Sequence, residues 1–192
     1  MIQEAVSFCF NRMPPMGRTL KDLIAFLDSR EERAPLPQLV SELADLRVDC
    51  NELGEHVRFS DQQYARNLVR QGPWYQLLVL CWKNGQRSPI HDHAGSTCGV
   101  RVLRGVMTET AFAFAPNGHV KAISSRDLAE GQVCGTQDDD LHQISNLQAG
   151  EADLVTLHVY TPPLVWMGTY SMYDTSRGQE RMLLEFSDAA GI

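Results

Sequence analysis

The chain has 192 residues, 43% of them hydrophobic and 21% charged, enough apolar side chain for one compact core and too much for a collagen-like, low-complexity or disordered chain. With 17 Lys and Arg against 24 Asp and Glu the net charge is −7, so a polyanion is repelled and nucleic acid is not an expected partner. The longest clean apolar run, Leu77 to Trp82, is far short of the roughly 20 residues that cross a bilayer; Met1-Ile2-Gln3-Glu4 opens no signal-like stretch, and the cysteines (Cys9, Cys50, Cys81, Cys98, Cys134) include no Cys-x-x-Cys pair, which predicts reduced thiols in the cytoplasm.

Helical spacing governs the first third. Leu20, Leu23, Ile24 and Leu27 form an apolar stripe, and Thr19 with Asp22 makes a capping box that satisfies the first free amides. Pro35-Leu36-Pro37 breaks the chain and starts a second helix, with Leu39, Val40, Leu43 and Leu46 on one face. From about Tyr75 the period changes to two, in the runs Leu77 to Trp82, Thr97 to Leu103, Val106 to Phe114, Val133 to Gly135 and Leu154 to Thr161. Short strands without intervening helices cannot form a parallel βαβ sheet, so an antiparallel sandwich or barrel is predicted, with the helices packed on its outside. The expected organisation is a single domain over residues 1–192, about 1–70 mostly helical and about 75–192 forming the β-barrel.

Histidines carry the chemistry. His91 and His93 lie in Ser88-Pro89-Ile90-His91-Asp92-His93, and in an extended segment residues i and i+2 share a face, so both imidazoles can aim at one point. Gly85 stands six residues before His91, Cys98 five after His93, and Gly105 seven further; a second stretch runs Gly131, His142, Asn146. These spacings resemble the two short motifs of the cupin barrel, Gly-x5-His-x-His-x4-Glu-x6-Gly and Gly-x5-Pro-x-Gly-x2-His-x3-Asn, with Cys98 in place of the glutamate and Gln137 and Asp139 in place of the proline and glycine. Losing the carboxylate leaves His91, His93 and His142 as the metal ligands. Three neutral imidazoles on one face of an octahedral ion leave three positions open and the dication's charge uncompensated, which favours an anionic, bidentate substrate. Three histidines with one water also suit zinc, an alternative that the spacing leaves open. His56 and His119 fall outside the motifs and read as surface residues. In the last predicted strand Thr156, His158 and Tyr160 alternate with Val155, Leu157 and Val159, so a hydroxyl, an imidazole and a phenol share one face and can hydrogen-bond in series.

Four stretches, Tyr64-Ala65-Arg66-Asn67-Leu68-Val69, Ser88 to His93 through Cys98, Leu141-His142, and Thr156-Leu157-His158-Val159-Tyr160-Thr161-Pro162-Pro163, resemble the cysteine dioxygenases, thiol-oxidising members of the cupin superfamily. The resemblance runs from roughly Thr19 to Phe186. It implies a mainly β fold, a cupin-type, jelly-roll-like antiparallel β-barrel with N-terminal α-helices packed against it. It implies ferrous iron, Fe(2+), on His91, His93 and His142, with L-cysteine bound through sulfur and amine and both atoms of O2 added to the sulfur, giving cysteine sulfinate in cysteine catabolism. Arg66 would grip the substrate carboxylate, a task suited to a guanidinium fork, with Tyr64 as a polar neighbour; Tyr160 would act on the substrate, held by the relay of His158 and Thr156. Cys98 and Tyr160 stand where animal members join cysteine sulfur to the tyrosine ring in a thioether. Thr156 replaces the family's usual serine, and Leu164-Val165-Trp166-Met167-Gly168 has no close match to the animal pattern. Enzymes acting on 3-mercaptopropionate are similar but carry glutamine at the Arg66 position, and a non-catalytic cupin that binds a small molecule is the alternative of a different class. No organic cofactor, membrane or nucleic acid is implied, and the chain is expected to act as a monomer on a small thiol and O2.

Overall fold

The computed structural model describes residues 17–138 and 140–182. Helix α1 (Leu20–Asp28) starts at its capping box: Thr19 Oγ1 accepts from the Asp22 amide at 3.3 Å while Asp22 Oδ2 accepts from the Thr19 amide at 2.9 Å. Helix α2 (Leu36–Ala44) carries Pro37 in its first turn, where a missing amide is no loss. Leu46 lies beyond the helix, and its backbone bridges to Arg18.

Among the described residues eleven strands form: β1 (Ala65–Gly72), β2 (Tyr75–Trp82), β3 (Ile90–His91), β4 (Thr97–Arg104), β5 (Val106–Phe114), β6 (Val120–Ala129), β7 (Val133–Gln137), β8 (Leu141–Ser145), β9 (Leu154–Thr161), β10 (Trp166–Tyr170) and β11 (Arg177–Arg181). They build two sheets, β1-β2-β9-β4-β7 and β11-β10-β3-β8-β5-β6, and the paired strands run antiparallel. This is the mainly β cupin architecture with two N-terminal helices, its sheets facing each other rather than closed edge to edge.

Strands β2 and β9 are buried along their whole length because each face meets a different partner. Leu77, Val79, Val155, Leu157 and Val159 pack with Leu23, Leu39 and Leu43 of the helices, whereas Leu78, Leu80, Trp82, Leu154 and Tyr160 point between the sheets. Double coverage explains why Leu77 to Trp82 reads as a continuous apolar run rather than an alternating one.

Strand begins at Ala65, inside the stretch expected to be mostly helical and ahead of the change of period near Tyr75. A bulge between Leu68 and Arg70 breaks the register of this edge strand, so inward and outward residues change phase and no clean alternation survives in its sequence. Strand β6 escaped notice for the same kind of reason: it is an edge strand with mostly exposed side chains, bulged opposite Ala111 and Phe112.

The helices are seated on a glycine pair. Gly99 of β4 lies opposite Gly135 of β7, and a Cβ there would come within 2.6 Å of Leu43 Cδ1 at the first and of Leu36 Cδ1 at the second, with Val40 Cγ2 at 2.7 Å. Gly135→Val is therefore expected to lift α2 from the sheet and lower stability by about 1–3 kcal/mol, the usual penalty of overpacking. Urea unfolding measures this; an unchanged midpoint would show that the seat has room to spare.

Candidate metal centre and substrate pocket

Strands β3 and β8 place His91 directly opposite His142, and His93 follows two residues later. One ring nitrogen of each of the three lies within 4.8 Å of the other two, with His93 Nε2 3.3 Å from His142 Nε2. The three residues are 6%, 1% and 3% exposed.

Hydrogen bonds behind the rings decide what faces the centre. His91 Nδ1 lies 3.0 Å from the Pro89 carbonyl and His142 Nδ1 lies 3.0 Å from Glu109 Oε1, both groups that only accept. In the neutral imidazoles the proton must then sit on Nδ1, which leaves Nε2 with a bare lone pair. Thr136 Oγ1 takes the equivalent place behind His93, at 3.2 Å. Burial, and then the neighbouring His142, push His91 down to about 3 and His93 well below the ordinary imidazole range. Buried, unprotonated nitrogens that converge on one point fit a divalent transition-metal ion.

Glu109 was not foreseen. It bridges His142 and Arg126, and although burial alone would raise its pKa, hydrogen bonding and charge from His142 and Arg126 hold it at about 2. The centre is thus not as uncompensated as three histidines suggest, because a carboxylate acts on it through His142. A signal was present in the sequence: in β5 the buried positions Met107 and Glu109 share the inward face, and an acidic residue there needs a partner.

The loop that carries His91 and His93 is tied to β10. Asp92 accepts from the Tyr170 hydroxyl at 2.5 Å and from the Gly168 amide at 3.0 Å. The end of the stretch Leu164 to Gly168, which has no close match to the animal pattern, thereby helps to fix the histidine loop. Asn146 of the second motif is structural: its Nδ2 donates to the carbonyls of Trp82 and Ala152, and the Gly85 amide donates to its backbone carbonyl. The first motif's start is thereby pinned to the second motif's end.

The polar face of β9 forms a chain. Thr156 Oγ1 is 2.9 Å from His158 Nε2, and His158 Nδ1 is 3.2 Å from the Tyr160 hydroxyl. Cys98 on β4 is in register with Tyr160. Burial, then the adjacent Cys98, push the Tyr160 hydroxyl up, and burial pushes the Cys98 thiol up, so both are protonated donors near neutral pH.

Arg66, on β1 opposite Leu80, is 7% exposed. Its guanidinium carbon lies 5.4 Å from the centroid of the Tyr160 ring, yet Nε and Nη2 are buried with no hydrogen-bond partner. Two unsatisfied nitrogens on a buried cation are costly, and they mark where an anion would dock. Tyr64 stacks on Trp82 with centroids 4.2 Å apart.

One pocket is lined by Tyr64, Arg66, His91, His93, Cys98, His142, His158 and Tyr160, all singled out from the sequence, together with Trp82, Leu80, Ser88 and Ile144, which were not. Thr156 stands behind His158. His56 and His119 are half-buried and do not line this pocket. Cys50, Cys81 and Cys98 are free thiols; Cys9, Asp139 and Phe186 lie outside the described residues. Among those described, no helix is long and apolar enough to cross a membrane.

The family model described as cysteine dioxygenase type I matches residues 14–174. Cysteine dioxygenase type 1 of Homo sapiens is 33% identical over 182 residues, covering 91% of this chain and 89% of the human one; the protein of that name from Danio rerio is 30% identical and covers 76% of this chain and 75% of its own. A solved protein with a double-stranded β-helix domain from Klebsiella pneumoniae aligns with a TM-score of 0.48 at 18% identity, over 57% of this chain and 81% of that one.

Proposed function

The chain belongs to the cysteine dioxygenase type I family, and from that premise we propose that it oxidises L-cysteine with O2 to cysteine sulfinate, using ferrous iron held by His91, His93 and His142. The observation that carries the substrate is Arg66, a buried guanidinium with two empty donor positions beside a three-histidine site. Ferrous iron, when held by His91, His93 and His142, would supply the Lewis acidity that lowers a thiol pKa and the one-electron chemistry that O2 requires.

The protein's own groups do the rest. Arg66 holds the α-carboxylate through Nε and Nη2, so that the thiol and amine are turned toward the three Nε2 atoms. Tyr160, protonated because its site is dry, donates a hydrogen bond where negative charge develops on oxygen. His158 is neutral, since burial, and then the Arg66 charge, push it well below the ordinary range, and it anchors the phenol from behind. Burial of all these groups keeps bulk water away from the oxidising centre. In the overall change both oxygen atoms end on sulfur and no other reductant is consumed. We place the activity in the cytoplasm, in keeping with a cysteine set that holds no Cys-x-x-Cys pair, and take the working unit to be a monomer.

Dioxygen uptake by the iron-loaded protein over a panel of small thiols tests the reading. L-cysteine should be consumed fastest; uptake confined to 3-mercaptopropionate would transfer the assignment to that thiol, and no uptake with any thiol would support a binding cupin instead.

Cys98 and Tyr160 are in register next to this centre, which should let O2-driven turnover remove one hydrogen from the thiol and one from the ring as a carbon–sulfur bond forms. Intact-protein mass spectrometry after turnover is expected to show a fraction lighter by two hydrogens, absent in Cys98→Ser and Tyr160→Phe. A fully active preparation without that species would return Cys98 to a packing role.

A further inference from the structure

We propose that Trp82 is a positioning residue that sets the direction of the hydrogen-bond chain on β9, so that Tyr160 offers its proton to the pocket instead of to His158. The inference rests on the dioxygenase reading only for its catalytic consequence; the proton arrangement follows from geometry.

Trp82 closes β2 and is 1% exposed. Its indole Nε1 lies 3.0 Å from Thr156 Oγ1, and an indole nitrogen can only donate. Thr156 is fully buried, and its hydroxyl has two partners, Trp82 Nε1 and His158 Nε2 at 2.9 Å. Since Trp82 supplies one proton to that oxygen, the hydroxyl's own proton has a single acceptor left, His158 Nε2. A neutral imidazole that accepts at Nε2 carries its proton on Nδ1. Nδ1 then donates to the Tyr160 oxygen at 3.2 Å, which leaves the phenolic proton free to point away from His158.

Without the indole N–H the order can reverse. Thr156 can then accept from an Nε2–H of His158, and Nδ1 becomes an acceptor that draws the Tyr160 proton back into the chain. Tyr160 would keep its place while losing its function as a donor to the pocket. The same ring of Trp82 stacks on Tyr64 with an interplanar angle of 12°, so Trp82→Phe keeps an aromatic wall and deletes only the donor.

Nitrogen NMR on the zinc-loaded protein with isotope-labelled histidine reads the tautomer directly, zinc serving as a diamagnetic probe; the His158 signals are those missing from His158→Gln. The expected result is the Nδ1–H tautomer in the parent and a shift toward Nε2–H in Trp82→Phe. Turnover on L-cysteine by the iron-loaded variant should fall about tenfold with KM little changed, the order of one neutral hydrogen bond to the reacting group. An Nε2–H tautomer in the parent, or an unchanged Nδ1–H tautomer in folded Trp82→Phe, would overturn the proposal. Should Trp82→Phe not fold, Thr156→Val takes its place: it removes the hydroxyl that holds the Nδ1–H form, and an unchanged tautomer would count equally against the chain. A protein that shows the tautomer shift but oxidises no thiol would leave the orientation standing and reject the dioxygenase reading.

Discussion

Replacing His142 by alanine is expected to empty the metal centre. The variant removes one of three converging nitrogens and, with it, the group through which Glu109 acts on the site. Loss of a hydrogen-bonding partner behind a ligand costs about 10–100-fold in metal affinity, so loss of the ligand itself should exceed that. His91→Ala and His93→Ala should behave alike, each losing iron and activity together, while His119→Ala, outside the pocket, keeps both. Metal analysis beside circular dichroism separates loss of iron from loss of fold. Full iron occupancy in folded His142→Ala would remove that histidine from the ligand set.

Arg66→Gln should strike at the substrate while leaving the metal in place. A charge-assisted fork to a carboxylate is worth on the order of 1.5 to 3 kcal/mol, which corresponds to a loss of roughly ten- to a hundred-fold in kcat/KM toward L-cysteine. Activity toward 3-mercaptopropionate should suffer less. Stability should hold or rise, since two buried guanidinium nitrogens have no partner in the free protein and their removal relieves a desolvation penalty. A site that is better folded without its charge and worse at its task carries the mark of a residue kept for function. Unchanged efficiency with L-cysteine would mean that Arg66 does not hold the carboxylate.

Much of this was legible in the sequence because the relevant signals are local. A capping box needs only Thr19 and Asp22, and the His91-Asp92-His93 spacing puts two imidazoles on one face without help from elsewhere. The alternation of Thr156, His158 and Tyr160 declared an internal polar face before any partner was known. What escaped depended on neighbours distant in the chain. Strand β1 hid because its bulge shifts the phase of burial, and Glu109 because its partners, Arg126 and His142, lie 17 and 33 positions away. Trp82 read simply as the end of an apolar run. Its stack on Tyr64 depends on β2 lying beside β1, and its bond to Thr156 on β2 pairing with β9.

The central claim, insertion of both atoms of one dioxygen molecule into the sulfur of L-cysteine, is tested most directly by turnover under heavy-isotope dioxygen with mass analysis of the product. Cysteine sulfinate with both sulfinate oxygens heavy is the predicted result. A singly labelled sulfinate, or dioxygen consumed with cystine as the product, would contradict it.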